Sequence, residues 1–212
     1  MTHIDHLILG VANLDDGIEQ FERRTGVRPA CGGKHPTGTH NALASLGDGI
    51  YLEIVALQPG AVPPPEYAAL SLLKELTPVG WAVASTDLEA LRNELAAADL
   101  PVTEPDAGSR ATPSGSTLRW QTFRLQTGFR EAPFFIVWSA DSPHPSATNP
   151  SGCILSALSI ASPTGEVLER LCTALELPVA VTRAASPAVT LDLRSPKGPV
   201  RFEFPPRRPV SA

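Results

Sequence analysis

Two periodicities alternate along the chain, and the switches between them mark its elements. Over 3–11, Leu7, Leu9 and Val11 fall on one face of an extended segment, and Ile4, His6 and Ile8 on the other. The pattern predicts a strand covered on both sides, with His6 as the ionisable residue it singles out. Asn13 then stands as a helix N-cap, with Asp15 and Asp16 in the favoured acidic first turn. Leu14, Ile18 and Phe21, at spacings of four and three, predict a helix to about Arg24, closed by Gly26. A short strand over 27–30, a glycine-rich loop, a strand over 39–46, a Gly47-Asp48-Gly49 hairpin turn and a strand over 50–56 complete a β-α-β-β-β module.

The same order recurs after a proline-rich connector at 58–65 and a short helix over 66–76. A strand is predicted over 79–85. The helix after it is capped by Thr86 or Asp87 and runs to about Ala98, with Leu88, Leu91 and Leu95 on its buried stripe. A short strand at Pro101 and Val102, a loop over 106–116, a strand over 117–125, a turn over 126–130 and a strand over 133–139 follow. Asn13-Leu14-Asp15 aligns with Asp87-Leu88-Glu89, and the final strands YLEIVA and FFIVWS correspond, so the two modules read as a weak internal repeat. Beyond a linker at 141–151 the pattern returns in shortened form. A strand over 153–161, a helix over 163–175 with Val167, Leu171 and Leu175 on one face, and strands over 179–182, 188–193 and 200–204 are predicted. Residues 205–212 should fray. The expected units are 1–60, 77–140 and 150–206, together one compact domain.

Composition narrows the function classes. The chain has 212 residues, 42% apolar and 18% charged, which is ordinary for a soluble globular protein. A net charge of −5 argues against a nucleic-acid partner, which needs a basic surface. No apolar run is long enough to span a bilayer, and no basic segment leads into an apolar one at the start, so neither a membrane partner nor a signal peptide is expected. Cys31, Cys153 and Cys172 are far apart and form no CxxC pair. Each reads as a small core residue, and a reducing cytoplasm fits.

The candidate chemistry centres on 32–56. Glu53 is the one carboxylate in an otherwise apolar strand that also holds Tyr51, and a buried acid is costly unless paired, protonated or bound to a metal. It is either a ligand or general base facing His6, or a structural carboxylate paired to an arginine such as Arg119 or Arg124. His6 is either a ligand or acid/base group, or a core histidine bonded to a backbone carbonyl. His40 and Asn41 either point into a cavity or lie on a polar edge strand. His35 reads as a solvated loop residue, as does His144. Lys34 with Gly32 and Gly33 lacks the spacing of a phosphate-binding loop. Trp81, Trp120 and Trp138 either line an apolar pocket or pack in the core. Glu203 in RFEF echoes Glu53 but alternates with Val200, Phe202 and Phe204, which turns it outward.

The words HPTGTHNAL, GIYLEIVA and PFFIVW, in that order, are similar to those of the glyoxalase-like domain family. The tandem modules resemble the wider vicinal oxygen chelate superfamily of glyoxalase I, extradiol dioxygenases and bleomycin- and fosfomycin-resistance proteins. The resemblance implies an α+β fold in which tandem βαβββ modules form a cupped mixed sheet with helices outside. It implies a divalent metal, zinc, nickel, manganese or iron, on His6 and Glu53. The matching positions of the second module fall near Gly80 and near Phe135 or Ile136, which cannot ligate, so His40, Glu203 or water alone, which would leave the ion exchangeable, would complete the set. Two functions follow from the resemblance. One is metal-dependent lyase, isomerase or dioxygenase-like chemistry with Glu53 as the catalytic carboxylate. The other is metal-free binding of a small molecule among Trp120, Phe135 and Trp138, with His40 and Asn41 contributing. A homodimer is expected by analogy.

Overall fold

The computed structural model describes residues 2–62, 64–112, 115–126, 129 and 131–205. The expected turn at 126–130 and the fraying tail fall largely outside them. The first module is β1 (His3–Gly10), α1 (Leu14–Thr25), β2 (Ala30–Lys34), β3 (Thr39–Ser45) and β4 (Tyr51–Leu57). A 3-10 helix (Pro65–Leu72) leads to the second: β5 (Thr77–Ala84), α2 (Leu88–Ala97), β6 (Asp106–Ala111), β7 (Thr117–Arg124) and β8 (Phe134–Trp138). A short helix, α3 (Pro145–Thr148), precedes the third unit: β9 (Ile154–Ser162), α4 (Gly165–Ala174), β10 (Val179–Arg183), β11 (Ala188–Ser195) and β12 (Gly198–Phe204).

Local chemistry sets the helix ends where the sequence places them. The Asn13 side chain accepts the Asp16 N–H at 3.1 Å, and Gly26, at φ 82°, donates to the Glu22 carbonyl. Asp87, not Thr86, caps α2, its Oδ1 accepting the Ala90 N–H at 2.9 Å. Two strands differ from expectation. The glycine-rich segment is itself strand β2, because β3 pairs with it through Lys34 rather than only to Ala30. In the second module the strand is Asp106–Ala111, the stretch expected as a loop, while Val102 makes only an isolated bridge to Leu125. Pairing with β7 overrides the weak strand propensity of DAGSRA there.

The first two modules share one eight-stranded sheet, ordered β2-β3-β4-β1-β5-β8-β7-β6. In each module the first strand runs parallel to the last, and β1 and β5 join the halves antiparallel. The sheet curls until β2 and β6, its two edges, touch without a backbone ladder. The third unit repeats the element order but not the pairing. Its four-stranded sheet runs β10-β9-β11-β12, so β9 lies between parallel β10 and antiparallel β11. This second sheet covers the convex side of the first. Phe202 stacks on Phe21 at 5.8 Å, the Arg24 guanidinium lies 4.0 Å from the Phe202 ring centre, β11 and β12 touch β5, and α4 touches α2. One hydrophobic core therefore runs from the convex face through the helices to the second sheet, and a smaller cluster of Ala82, Ala84 and Ile136 with Trp120, Phe134 and Trp138 lies on the concave face.

Candidate functional site

A β-bulge in β1 builds the centre of the concave face. Ile4 pairs with Val83 and His6 with Ala82, so Asp5 is the extra residue. Ile4 thereby turns to the convex core, leaving the face that alternation alone assigns it with His6, while Asp5 and His6 both serve the concave side. Asp5 is fully buried and clasped on both oxygens. His6 Nδ1–H donates to Oδ1 at 2.5 Å; His144 Nε2–H and Trp138 Nε1–H donate to Oδ2, each at 2.9 Å. Burial by itself would raise the Asp5 carboxyl, but the hydrogen bonds and charges of His144 and His6 outweigh it and hold the group well below the usual carboxylate range. His144 arrives from the linker, where α3 packs on β3, and its Nδ1 bonds Ser146 at the start of that helix.

The His6 ring is stacked on Tyr51 at 4.5 Å and edged by Phe134 at 5.3 Å. Burial, with the charges of Asp5 and Glu53, pushes the Tyr51 phenol well above its ordinary value, so it stays protonated. The free nitrogen of His6, Nε2, faces Glu53 Oε2 at 3.8 Å. That gap is too long for a hydrogen bond and leaves room for a bridging atom. Asn41 Nδ2 donates to Glu53 Oε1 at 2.7 Å, and His35 Nε2 lies 3.9 Å from the same oxygen. His35 Nδ1 bonds Thr39 Oγ1 at 2.9 Å, and burial, only partly opposed by Glu53, lowers the pKa of this imidazole. Asn41 Oδ1 is buried without a partner among the described residues, pressed against Gly32, where a Cβ would come within 2.3 Å of it. Arg110 comes from β6 across the open edge, and its Nη1 donates to the Gly32 carbonyl of β2. Burial pushes its guanidinium below the ordinary value, and Glu53 and Tyr51 offset this only in part.

The structure thus brings His6, Glu53 and Asn41 together on one face and sets Trp120 and Trp138, 5.4 Å apart edge to face, along the neighbouring wall. Two expected ligand-binding residues belong elsewhere. Phe135 is fully buried on the convex side, stacked on Phe123 at 4.9 Å, because its neighbours Phe134 and Ile136 take the concave positions of β8. His40 pairs with Ala56, a convex-core residue, and its charge environment is set by Asp15 and Lys34, so it stands on the opposite face from Asn41. Trp81 is convex core as well, donating to the Glu131 carbonyl at 2.9 Å. Cys153 and Cys172 are buried as expected, but Cys31 is exposed. Asp5, Arg110, His35 and His144 are the residues the sequence reading missed. Asp5 beside His6 was the available signal, since two adjacent polar side chains inside an apolar strand call for a bulge or a partner. A surface cleft of about 550 Å³ lined by Gln20, Arg23, Arg24, Lys74 and Glu75 lies beside α1 and holds none of these residues.

A divalent ion on His6 and Glu53 would need further ligands, since tight sites take three or four. The concave positions of the second module next to His6 are Gly80 and Ala82, His40 faces the other way, and Glu203 lies on β12 of the second sheet. Among the described residues no three His, Cys, Asp or Glu side chains converge closely enough to hold a metal ion. The charge of Arg110 acts on Glu53 from beyond ion-pair distance and adds a positive field there. His35 Nε2, 3.9 Å from Glu53 Oε1, is the nearest further donor, and with it the described residues still do not gather a three-ligand set for a divalent metal.

The sequence profile of the glyoxalase-like domain family matches residues 4–176. The chain therefore belongs to the glyoxalase-like domain family. No curated protein matches it in sequence. Among solved structures it is similar to a hypothetical protein from Staphylococcus aureus, at 17% identity and a TM-score of 0.62 over 96% of this chain and 85% of that one. It is also similar to methylmalonyl-CoA epimerase from Mycobacterium tuberculosis, at 16% identity and a TM-score of 0.44 over 64% and 85% of the two chains. A methylmalonyl-CoA epimerase in complex with methylmalonyl-CoA and NH4+ aligns at 16% identity and a TM-score of 0.47 over 67% and 98%. No helix among the described residues is long and apolar enough to cross a membrane.

Proposed function

We propose that the concave face is an active site for isomerase-type proton transfer on a small molecule, with Glu53 and the Asp5–His6 pair as its acid–base groups. One observation carries the reading: His6 is held through Nδ1 by a buried carboxylate at 2.5 Å while its other nitrogen faces Glu53 at 3.8 Å. Asp5 fixes the tautomer and orientation of His6 and stabilises its imidazolium, as an orienting carboxylate does beside a general base. Glu53 and His6 stand on neighbouring strands and approach from one side. That suits a same-face shift, in which one group takes a proton from carbon and the other returns a proton to a neighbouring atom, with no net change in protons. Asn41 holds the Glu53 carboxylate in place.

The experiment is hydrogen–deuterium exchange at carbon, followed by NMR in D2O, over a panel of small aldehydes, ketones, esters and carboxylic acids. Exchange above buffer by the wild type, reduced about 100- to 10,000-fold in Glu53→Gln and in His6→Asn, is the expected result. No exchange with any compound, or exchange indifferent to both variants, removes the catalytic reading. Binding without chemistry is the second reading, favoured by the half-buried wall of Trp120, Phe134 and Trp138.

A further inference from the structure

We propose that Arg110 recognises a carboxylate on the ligand, so that the site takes small organic acids whose apolar part lies against Trp120 and Trp138. The inference rests on the reading above only in taking the concave face as the ligand site. Arg110 is 6% exposed, yet among the described residues no carboxylate lies within 4.0 Å of it. Gly32 offers it a neutral carbonyl, and Glu53 acts on it only from beyond that distance. A buried cation without a close counter-ion is costly, and removing that cost is a source of affinity for an anion. The guanidinium has five N–H donors in a planar fork that fits a carboxylate through two parallel bonds.

The surroundings are shaped for such a group. At Gly33, φ 147°, a Cβ would come 2.7 Å from the Ala111 carbonyl and 3.0 Å from Arg110 Nη1, so only a residue without a side chain leaves the guanidinium its place. At Gly108 a Cβ would come 2.2 Å from Trp120 Nε1, so the indole lies directly on the strand. Gly108 and Arg110 are alternate residues of β6, on one face and about 7 Å apart. Cation and apolar platform are therefore neighbours, at the spacing of a carboxylate and a ring joined by one or two carbons. Trp138 continues the platform and ties it to Asp5.

The test compares phenylacetate and phenylpyruvate with phenylacetamide and methyl phenylpyruvate, by quenching of tryptophan fluorescence and by calorimetry. In the wild-type protein the acids should bind at least ten times more tightly than their neutral partners. Arg110→Gln should abolish that ratio, Arg110→Lys should keep part of it, and Trp138→Leu should weaken acid and neutral partner alike. Equal binding of acid and neutral partner to wild type, no binding of either, or a ratio that survives Arg110→Gln overturns the proposal. The wild-type comparison decides even where a variant fails to fold. The two proposals fail separately. Arg110-dependent binding of acids without carbon exchange leaves this one standing and removes the catalysis. Exchange confined to neutral carbonyl compounds does the reverse.

Discussion

Replacing Asp5 by asparagine changes one atom in a side chain that no solvent reaches, and its cost follows from the donors that converge on it. His6, Trp138 and His144 all point an N–H at the two carboxylate oxygens. Asparagine keeps one acceptor and turns an NH2 toward the remaining donors. At least one buried N–H then loses its partner, at about 1–3 kcal/mol, and the bonds that survive lose their charge-assisted share, roughly another 1–2 kcal/mol. His144 is half-buried and finds water, which limits its part of the loss. The expected sum is about 3–4 kcal/mol, a large fraction of the 5–15 kcal/mol typical of a domain. Urea unfolding at pH 7 measures it. The same carboxyl supplies a second signature. Its folded-state pKa is depressed, so its contribution is complete above the unfolded value of about 4 and is lost as pH falls below that. The stability gap between wild type and Asp5→Asn should therefore narrow from pH 5 to pH 3. A loss under about 1 kcal/mol at pH 7, or a gap constant down to pH 3, would refute the clasp as described.

Two further outcomes are expected. Burial lowers the pKa of His35 in the folded protein, so wild-type stability should fall as pH drops from about 6.5, the unfolded value, toward that lowered pKa, and His35→Gln should flatten this slope. Parallel slopes in urea titrations between pH 7 and 5 would contradict it. Phe202→Ala should cost about 3–5 kcal/mol, because the ring is buried between Phe21 and Arg24. Tryptophan fluorescence reports only the first two modules, which hold Trp81, Trp120 and Trp138. It should shift together with circular dichroism, whereas a separate transition silent to the tryptophans would mean that the two sheets do not share a core.

His6 and Glu53 were legible in the sequence because each interrupts an apolar strand, and parity along the two strands put them on compatible faces. Parity failed at Asp5. Counting by twos sets it opposite His6, and only the bulge against β5 brings the two side chains to one side. Parity would also have separated Phe134 from Phe135 and Asn41 from His40 once the register with β7 and β4 was known, but register is a tertiary fact. Arg110 was hidden because its strand is short in apolar residues and exists through pairing. His35 and His144 sit in glycine-, proline- and serine-rich stretches that read as solvated loops, and what draws them inward are partners more than a hundred residues away for His144 and eighteen for His35. The helices were the most legible elements, since their caps and stripes are local. For the third unit, element order was visible but the position of β9 between β10 and β11 was not.

The second sheet acts as a splint. It rests on α1 through Phe202, on β5 through β11 and β12, and on α2 through α4, and so bridges both halves of the curled sheet from behind. Spreading the halves at the β1–β5 junction would strip all three contacts at once. Parting β2 from β6 at the front would strip none of them, because no backbone ladder crosses that seam and the Arg110 side chain spans it to Gly32. The molecule is thereby hinged like a clamshell bound along its back, with its compliance confined to the lip, and the cation that would greet an anionic guest is also the clasp on that lip.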